Sequence, residues 1–150
     1  MIDLDVLTSA LWKGKEKELA DKFLERVRAG KFEVHTPYIL LELINKWKHK
    51  TLIDKISDFY KLYSAEIITV EKLSEEIQKA KLDYEILSEG LTKITEKADD
   101  SDLVLISSIF ELDCLVTLNR KHLRNKKEQI SEFLSRNKLK PVEVVLPNEI

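Results

Sequence analysis

The chain has 150 residues and a formal charge of −2 at pH 7, a length that fits one domain with its own core. With 43% hydrophobic and 35% charged residues and only three glycines and three prolines, the composition excludes a disordered tail and a fibrous repeat. The single cysteine, the lack of a basic signal sequence and the lack of an apolar run near the ~20 residues that span a bilayer predict a soluble cytoplasmic protein.

The first third of the chain predicts strands that alternate with helices. IDLDVL is rich in Ile, Val and Leu and predicts a buried strand over residues 1–7. KEKELADKFLERVRAG has apolar residues at helical spacing and ends at Gly30, a typical helix terminator. KFEVHTP predicts a second strand, after which Thr36 and Pro37 start a helix that continues through PYILLELINKWKHK.

The alternation continues to the end of the chain. TLIDKISDFYKLY predicts a helix and AEIITV a strand, and residues 71–95 predict two helices that meet near Gly90. ADDSDLVLISSIFEL predicts an apolar helix that is capped by Asp100 or Ser101. CLVTLN, the basic RKHLRNKKEQISEFLSRN and PVEVVLP predict strand, helix and strand. We therefore expect a single α/β domain over residues 1–150, with a central, mostly parallel sheet covered on both faces.

Acidic residues are predicted to gather at one edge of this sheet. Residues one apart on a strand project to the same side, so Asp3 and Asp5 would lie together. A buried pair of carboxylates without a cation is costly. Glu42, after the second strand, and Asp102, in the first turn of the apolar helix, would reach the same edge, where parallel sheets place their chemistry. Such oxygen ligands suit Mg²⁺ or Mn²⁺.

Structural roles remain open for three of these acids. Asp5 would also cap nearby backbone at a strand end, Glu42 would also be an ordinary solvated residue, and Asp102 would also favour the helix dipole. The fourth strand ends in Thr117 and Asn119, which add a hydroxyl and an amide to the same rim. The spacing of these residues does not by itself separate a metal site from these structural roles.

Four segments, taken in order, resemble the motifs of the PIN-domain ribonucleases, a family that includes the VapC toxins of toxin–antitoxin pairs. The segments are IDLDVL, TPYILLEL, DLVLISSIFELDCLVTLN and VEVVLPNEI, and together they span nearly the whole chain. The resemblance implies a three-layer α/β/α sandwich and a site that binds Mg²⁺ or Mn²⁺ and hydrolyses RNA. It also implies an antitoxin protein as a partner and a homodimer.

The resemblance assigns roles to particular residues. The family's catalytic and metal-binding acids fall on Asp3, Glu42 and Asp102. Its auxiliary positions fall on Asp5, Thr117 and Asn119. Leu4 stands where the family usually has a small hydroxyl residue, and Asn119 stands where it usually has a fourth acid. A second metal would therefore be held more weakly.

Basic residues follow this rim directly. Between residues 120 and 140 the chain has eight Lys and Arg against two acids. Charge alone is typical of a solvated helix face, whereas the resemblance favours contacts between Arg120, Lys121, His122 and the RNA backbone.

Two other functions compete with the nuclease. A PIN-like RNA-binding or scaffold protein with a weakened site would retain the fold, and Leu4 and Asn119 favour it. A phosphoacceptor receiver domain ranks last, because AEIITVEK has no Asp at its strand end.

Overall fold

The computed structural model describes residues 1–150 and contains four short strands in two parallel pairs. Ile2 adds one parallel bridge to Val116, on the side of β3 that β4 leaves free. The expected α/β fold with parallel strands is confirmed, but the strands form two separate sheets rather than one central sheet. The first sheet pairs β1 (Val34–Pro37) with β2 (Ser64–Ile68), and the second pairs β3 (Cys114–Val116) with β4 (Glu143–Val145).

Eight α-helices make up most of the chain and cover the strands. None of them combines the length and the apolar character needed to cross a bilayer. The helices are α1 (Leu4–Leu11), α2 (Lys17–Arg28), α3 (Tyr38–Asn45), α4 (Lys50–Tyr63), α5 (Val70–Ala80), α6 (Tyr84–Thr95), α7 (Ala98–Ile109) and α8 (Lys127–Arg136).

The strand predicted over residues 1–7 is wrong beyond its first residues. Only Ile2 bridges β3, and α1 begins at Leu4 because the Asp3 carboxylate caps it. A short apolar run fits a buried strand and a buried helix equally well, so periodicity cannot separate them. The partner strand β3 is itself only three residues long, which limits how far the opening segment can pair.

Three further boundaries differ from the prediction. The break between α5 and α6 lies at residues 81–83, where Lys81 adopts a left-handed conformation, and not near Gly90. Gly90 instead lies inside α6, where an added Cβ would come within 2.9 Å of Phe133 on α8. The helix after β1 ends at Asn45, and the predicted basic helix forms only over α8. Confirmed elements include α2, with Gly30 at φ 71° just beyond it.

One contiguous core of 32 buried hydrophobic residues joins the two sheets and the helices. Its largest fully buried side chain is Tyr60 of α4, whose hydroxyl donates a hydrogen bond to the Ile2 carbonyl at 2.9 Å. This contact ties α4 to the opening segment. The same segment donates from the Asp3 amide to the Val116 carbonyl, which places Asp3 at the carboxyl end of β3.

Candidate functional site

Asp3 and Asp5 meet at the hydroxyl of Thr117, the residue that follows β3. The Thr117 hydroxyl lies 2.8 Å from Oδ2 of Asp3 and 3.2 Å from Oδ2 of Asp5. The Asp5 carboxylate also accepts the amide of Leu118 at 3.0 Å. The two aspartates therefore lie together as predicted, although Asp5 is in the first turn of α1 and not on a strand.

Asp100 and Asn119 complete this group of side chains. Asp100 is buried in the first turn of α7, and its Oδ2 accepts a hydrogen bond from the Asn119 side-chain amide at 2.9 Å. The Asn119 side-chain carbonyl accepts the backbone amide of His122. We call this group the aspartate cluster; its members are Asp3, Asp5, Asp100, Thr117 and Asn119.

The aspartate cluster gathers three acidic side chains that form no ion pair. None of its carboxylates forms an ion pair. Burial, with the nearby charge of Asp5, raises the pKa of Asp3 to about 8. Burial also raises the pKa values of Asp5 and Asp100, and Lys97 offsets part of the effect on Asp100. Holding several unpaired carboxylates this close costs folding free energy, so their presence needs a function to explain it.

The donor chemistry of the cluster fits a hard divalent cation. Carboxylate and amide oxygens are the ligands that Mg²⁺ and Mn²⁺ prefer. No three His, Cys, Asp or Glu side chains converge on one point in the manner of metal ligands, however. The Thr117 hydroxyl lies between Asp3 and Asp5, and the Asn119 amide holds Asp100. The cluster thus supplies suitable donors without a preformed cage.

Asp102 and Glu42, the two remaining acids assigned by the family resemblance, lie in a different group. Asp102 accepts hydrogen bonds from the Tyr84 hydroxyl at 2.8 Å and from the Ser88 hydroxyl at 3.4 Å. Tyr38 lies within electrostatic range of both Glu42 and Asp102. We call this the tyrosine group; its members are Tyr38, Glu42, Tyr84, Ser88 and Asp102. Residues 100 and 102 face different sides of α7, because successive helical residues turn by about 100°.

The hydrogen bonds to Asp102 in the tyrosine group come from side-chain hydroxyls. Burial raises the pKa of Asp102, and the bonds from Tyr84 and Ser88 oppose that effect. Glu42 is exposed on α3 and makes no ion pair. The structure therefore does not bring Glu42 and Asp102 into the aspartate cluster, and their catalytic role stays a prediction.

Two of the three residues assigned to RNA binding already have carboxylate partners. Arg120 pairs with Glu16, and His122 Nδ1 lies 3.1 Å from Glu96. Lys121 is exposed and without an ion pair. Of the three, Lys121 is therefore the one that a phosphate would reach without breaking an existing pair.

A shallow cleft of about 450 Å³ opens over the aspartate cluster. Its floor includes Asp3, Asp5 and Asp100. Its wall includes Lys13, and Trp47 from the segment between α3 and α4. The cleft gives the cluster access to solvent and to a substrate.

Sequence reasoning assigned Asp100 to a helix cap and overlooked Lys13. The first error has a physical cause. Almost every position of α7 between Asp100 and Ser108 is buried, so no polar face distinguishes Asp100 from Asp102 in the sequence. Lys13 falls in residues 8–14, between the predicted first strand and the predicted helix that begins at Lys15, and the sequence assigns no element to these residues. No sequence signal would have placed that loop beside the cluster.

Comparison with protein-family models, with curated proteins and with solved structures finds no match to this chain. The chemistry of the aspartate cluster and its cleft therefore provides the basis for a functional assignment.

Proposed function

We propose that this protein is a metal-dependent endoribonuclease with a PIN-like α/β/α fold, and that the aspartate cluster is its active site. The observation that carries the proposal is that Asp3 and Asp5 share the Thr117 hydroxyl and line one open cleft with Asp100, and that none of the three forms an ion pair. Carboxylates whose pKa values are raised by burial, and for Asp3 also by the charges of Asp5 and Asp100, are unfavourable in ionised form unless a cation is bound during function.

Each member of the cluster has a defined task in this proposal. Asp3, Asp5 and Asp100 would hold Mg²⁺ or Mn²⁺. Thr117 orients the first two carboxylates through its hydroxyl. Asn119 orients Asp100 and contributes no charge, which supports one strongly bound metal rather than two. When bound, the metal would supply a more acidic water and neutralise charge on the phosphate.

The remaining parts of the proposal rest on the family resemblance. RNA would be the substrate, the protein would act in the cytoplasm, and an antitoxin and a second copy of the chain would be its partners. A small open reading frame beside its gene would support the toxin role. Sedimentation of the purified protein would test the homodimer.

A second candidate function is RNA binding without cleavage. Asn119 favours it, because both ends of its side chain are used within the protein and neither provides a negative ligand. Metal binding and RNA binding by a protein that leaves RNA intact would decide for this alternative.

The experiment that tests the nuclease proposal is cleavage of a mixed pool of single-stranded and structured RNA. Purified protein is assayed with Mn²⁺ and with excess chelator, and calorimetric titration measures Mn²⁺ binding separately. Cleavage that needs Mn²⁺ and is abolished in Asp3→Asn supports the proposal. A protein that binds no Mn²⁺, or whose cleavage survives Asp3→Asn, contradicts it.

A further inference from the structure

Two loops beside the aspartate cluster combine aromatic rings with unpaired positive charge. The first follows α1 and reads WKGK at residues 12–15; the second follows α3 and reads KWKHK at residues 46–50. Together they hold five lysines and no acidic residue, in a chain whose net charge is −2. None of the five lysines forms an ion pair, although ion pairs engage several cations elsewhere on the surface.

The two loops touch each other through aromatic side chains. The Trp12 and His49 rings lie 4.3 Å apart between centroids, with an angle of 62° between their planes. An edge-to-face contact leaves ring faces uncovered. Trp12 is 37% exposed and is one of four large hydrophobic side chains on the surface. The pair therefore presents an exposed aromatic surface that is flanked by lysines along the chain.

This surface is continuous with the cleft of the aspartate cluster. Lys13 and Gly14 from the first loop and Trp47 from the second line the same cleft as Asp3 and Asp5. Gly14 packs so tightly on α1 that an added Cβ would collide with the Ser9 hydroxyl and come within 2.8 Å of Ser9 Cα. Glycine at position 14 thus allows the Trp12 loop to lie close against α1, the helix that carries Asp5.

We infer that the Trp12–His49 pair and the surrounding lysines bind a single-stranded nucleic acid and guide it into the cleft. This inference rests on the proposed function, because it names the form of substrate that the aspartate cluster would receive. Lysines attract the phosphates, and exposed aromatic rings stack with bases that are not stacked on one another. A double helix keeps its bases stacked and would use only the lysines.

The charge pattern explains why such a guide is needed. The carboxylates at the floor of the cleft repel a phosphate backbone until a cation is bound. Lys13, which lines the cleft, and the other lysines of the two loops offset that repulsion locally, whereas the net charge of the whole chain is negative. A strand lying across Trp12 would therefore be held beside the cluster before reaction.

The test is binding, measured apart from cleavage. Fluorescence anisotropy follows a labelled mixed-sequence RNA of about 12 nucleotides, in excess chelator, against the matching duplex. We expect tighter binding of the single strand. Trp12→Ala should weaken it by about 10-fold, Trp12→Phe should retain most of the affinity, and Leu62→Ala, which removes another exposed hydrophobic residue, should leave it unchanged.

Salt dependence tests the lysines. Lys13→Ala combined with Lys48→Ala should reduce the slope of log affinity against log salt by roughly 0.7 for each phosphate that the variant no longer neutralises. Lys61→Ala, at the opposite end of α4 from these loops, is the matched control and should leave the slope unchanged.

Four results would overturn the inference. They are equal affinity for the single strand and the duplex, Trp12→Ala binding like the wild type, an unchanged salt slope in the lysine double variant, and a Trp12→Ala change in oligomeric state with unchanged RNA affinity. Cleavage by the wild type together with any of these results would leave the nuclease proposal intact. Binding as expected without any cleavage would instead remove the nuclease proposal and retain the inference.

Discussion

The aspartate cluster and the tyrosine group both contain half-buried or buried acids, but the groups that surround these acids differ. In the tyrosine group, Asp102 accepts hydrogen bonds from the hydroxyls of Tyr84 and Ser88. In the aspartate cluster, Asp3 and Asp5 share the single hydroxyl of Thr117 and also accept the backbone amides of Leu4 and Leu118. The first arrangement holds one half-buried carboxylate between two hydroxyls. The second brings several acids together without an ion pair, a concentration that a bound cation would complete.

The difference also concerns location. The aspartate cluster lies where the chain leaves β3 and its neighbouring opening segment, the edge of a parallel sheet at which ligands usually bind. The tyrosine group joins α3, which follows directly on β1, with α6 and α7. Comparing matched substitutions in the two groups therefore tests which of them carries the chemistry.

The largest loss of cleavage is expected at Asp100, which can be compared with two neighbouring acids on α7. Asp100→Asn should reduce Mn²⁺-dependent RNA cleavage by at least about 100-fold, since residues that only support metal ligands are already worth about 10- to 100-fold. Asp102→Asn should reduce this cleavage by a smaller factor. Asp99→Asn, at an exposed position, is the control and should cleave like the wild type. A greater loss in Asp102→Asn than in Asp100→Asn would move the site to the tyrosine group.

A second prediction concerns stability without metal. Asp3→Asn should raise Tm by about 5 °C in chelator at pH 9, because Asn still caps α1 and removes a charge from the cluster. The pKa of Asp3 is about 8 in the folded protein against 3.8 for a free side chain. The folded state thus retains a proton that the unfolded chain loses, and wild-type stability falls as pH rises between those values.

The increase in Tm caused by Asp3→Asn should therefore be small at pH 4, grow up to about pH 8 and stay constant above it. Calorimetric melting at several pH values measures it. Added Mn²⁺ should raise the Tm of the wild type and leave that of Asp3→Asn unchanged. A variant less stable than the wild type at every pH would show that Asp3 is a structural residue only.

A smaller effect is expected in the tyrosine group. Tyr84→Phe removes the hydroxyl that binds Asp102 and should lower the free energy of unfolding by about 1.5 kcal/mol. Cleavage should change little. Urea unfolding measures the loss, and Tyr63→Phe, at another half-buried tyrosine, is the control. Loss of cleavage in Tyr84→Phe without loss of stability would indicate that Asp102 acts in catalysis.

The smallest effect is expected at Glu42. Because this side chain is exposed and makes no ion pair, Glu42→Gln should change the free energy of unfolding by less than about 0.5 kcal/mol. The Glu42→Gln variant should cleave RNA faster than the Asp100→Asn variant. If Glu42→Gln instead cleaves as poorly as Asp100→Asn, the family assignment of Glu42 as a catalytic acid is supported and the active site extends beyond the aspartate cluster.

Much of the fold could be predicted from local patterns. The α2 helix shows its apolar stripe in the sequence and ends beside Gly30, whose positive φ is accessible to glycine without strain. The parallel pairing of β1 with β2 and of β3 with β4 follows from the alternation of strands with helices. The opening segment could not be predicted, because Leu4 to Leu11 are apolar enough for either a strand or a buried helix.

Some residues of the candidate site could likewise be predicted from the sequence, and others could not. The sequence by itself determined that Asp3 is unusual, since a carboxylate in an apolar opening segment needs a partner, and that Thr117 and Asn119 follow a strand. Only the tertiary structure decided that Asp100, and not Asp102, joins them, and that the Trp12 loop lies at the same cleft. Side-chain direction on a largely buried helix and contacts between distant loops depend on packing across the whole core, which no local pattern records.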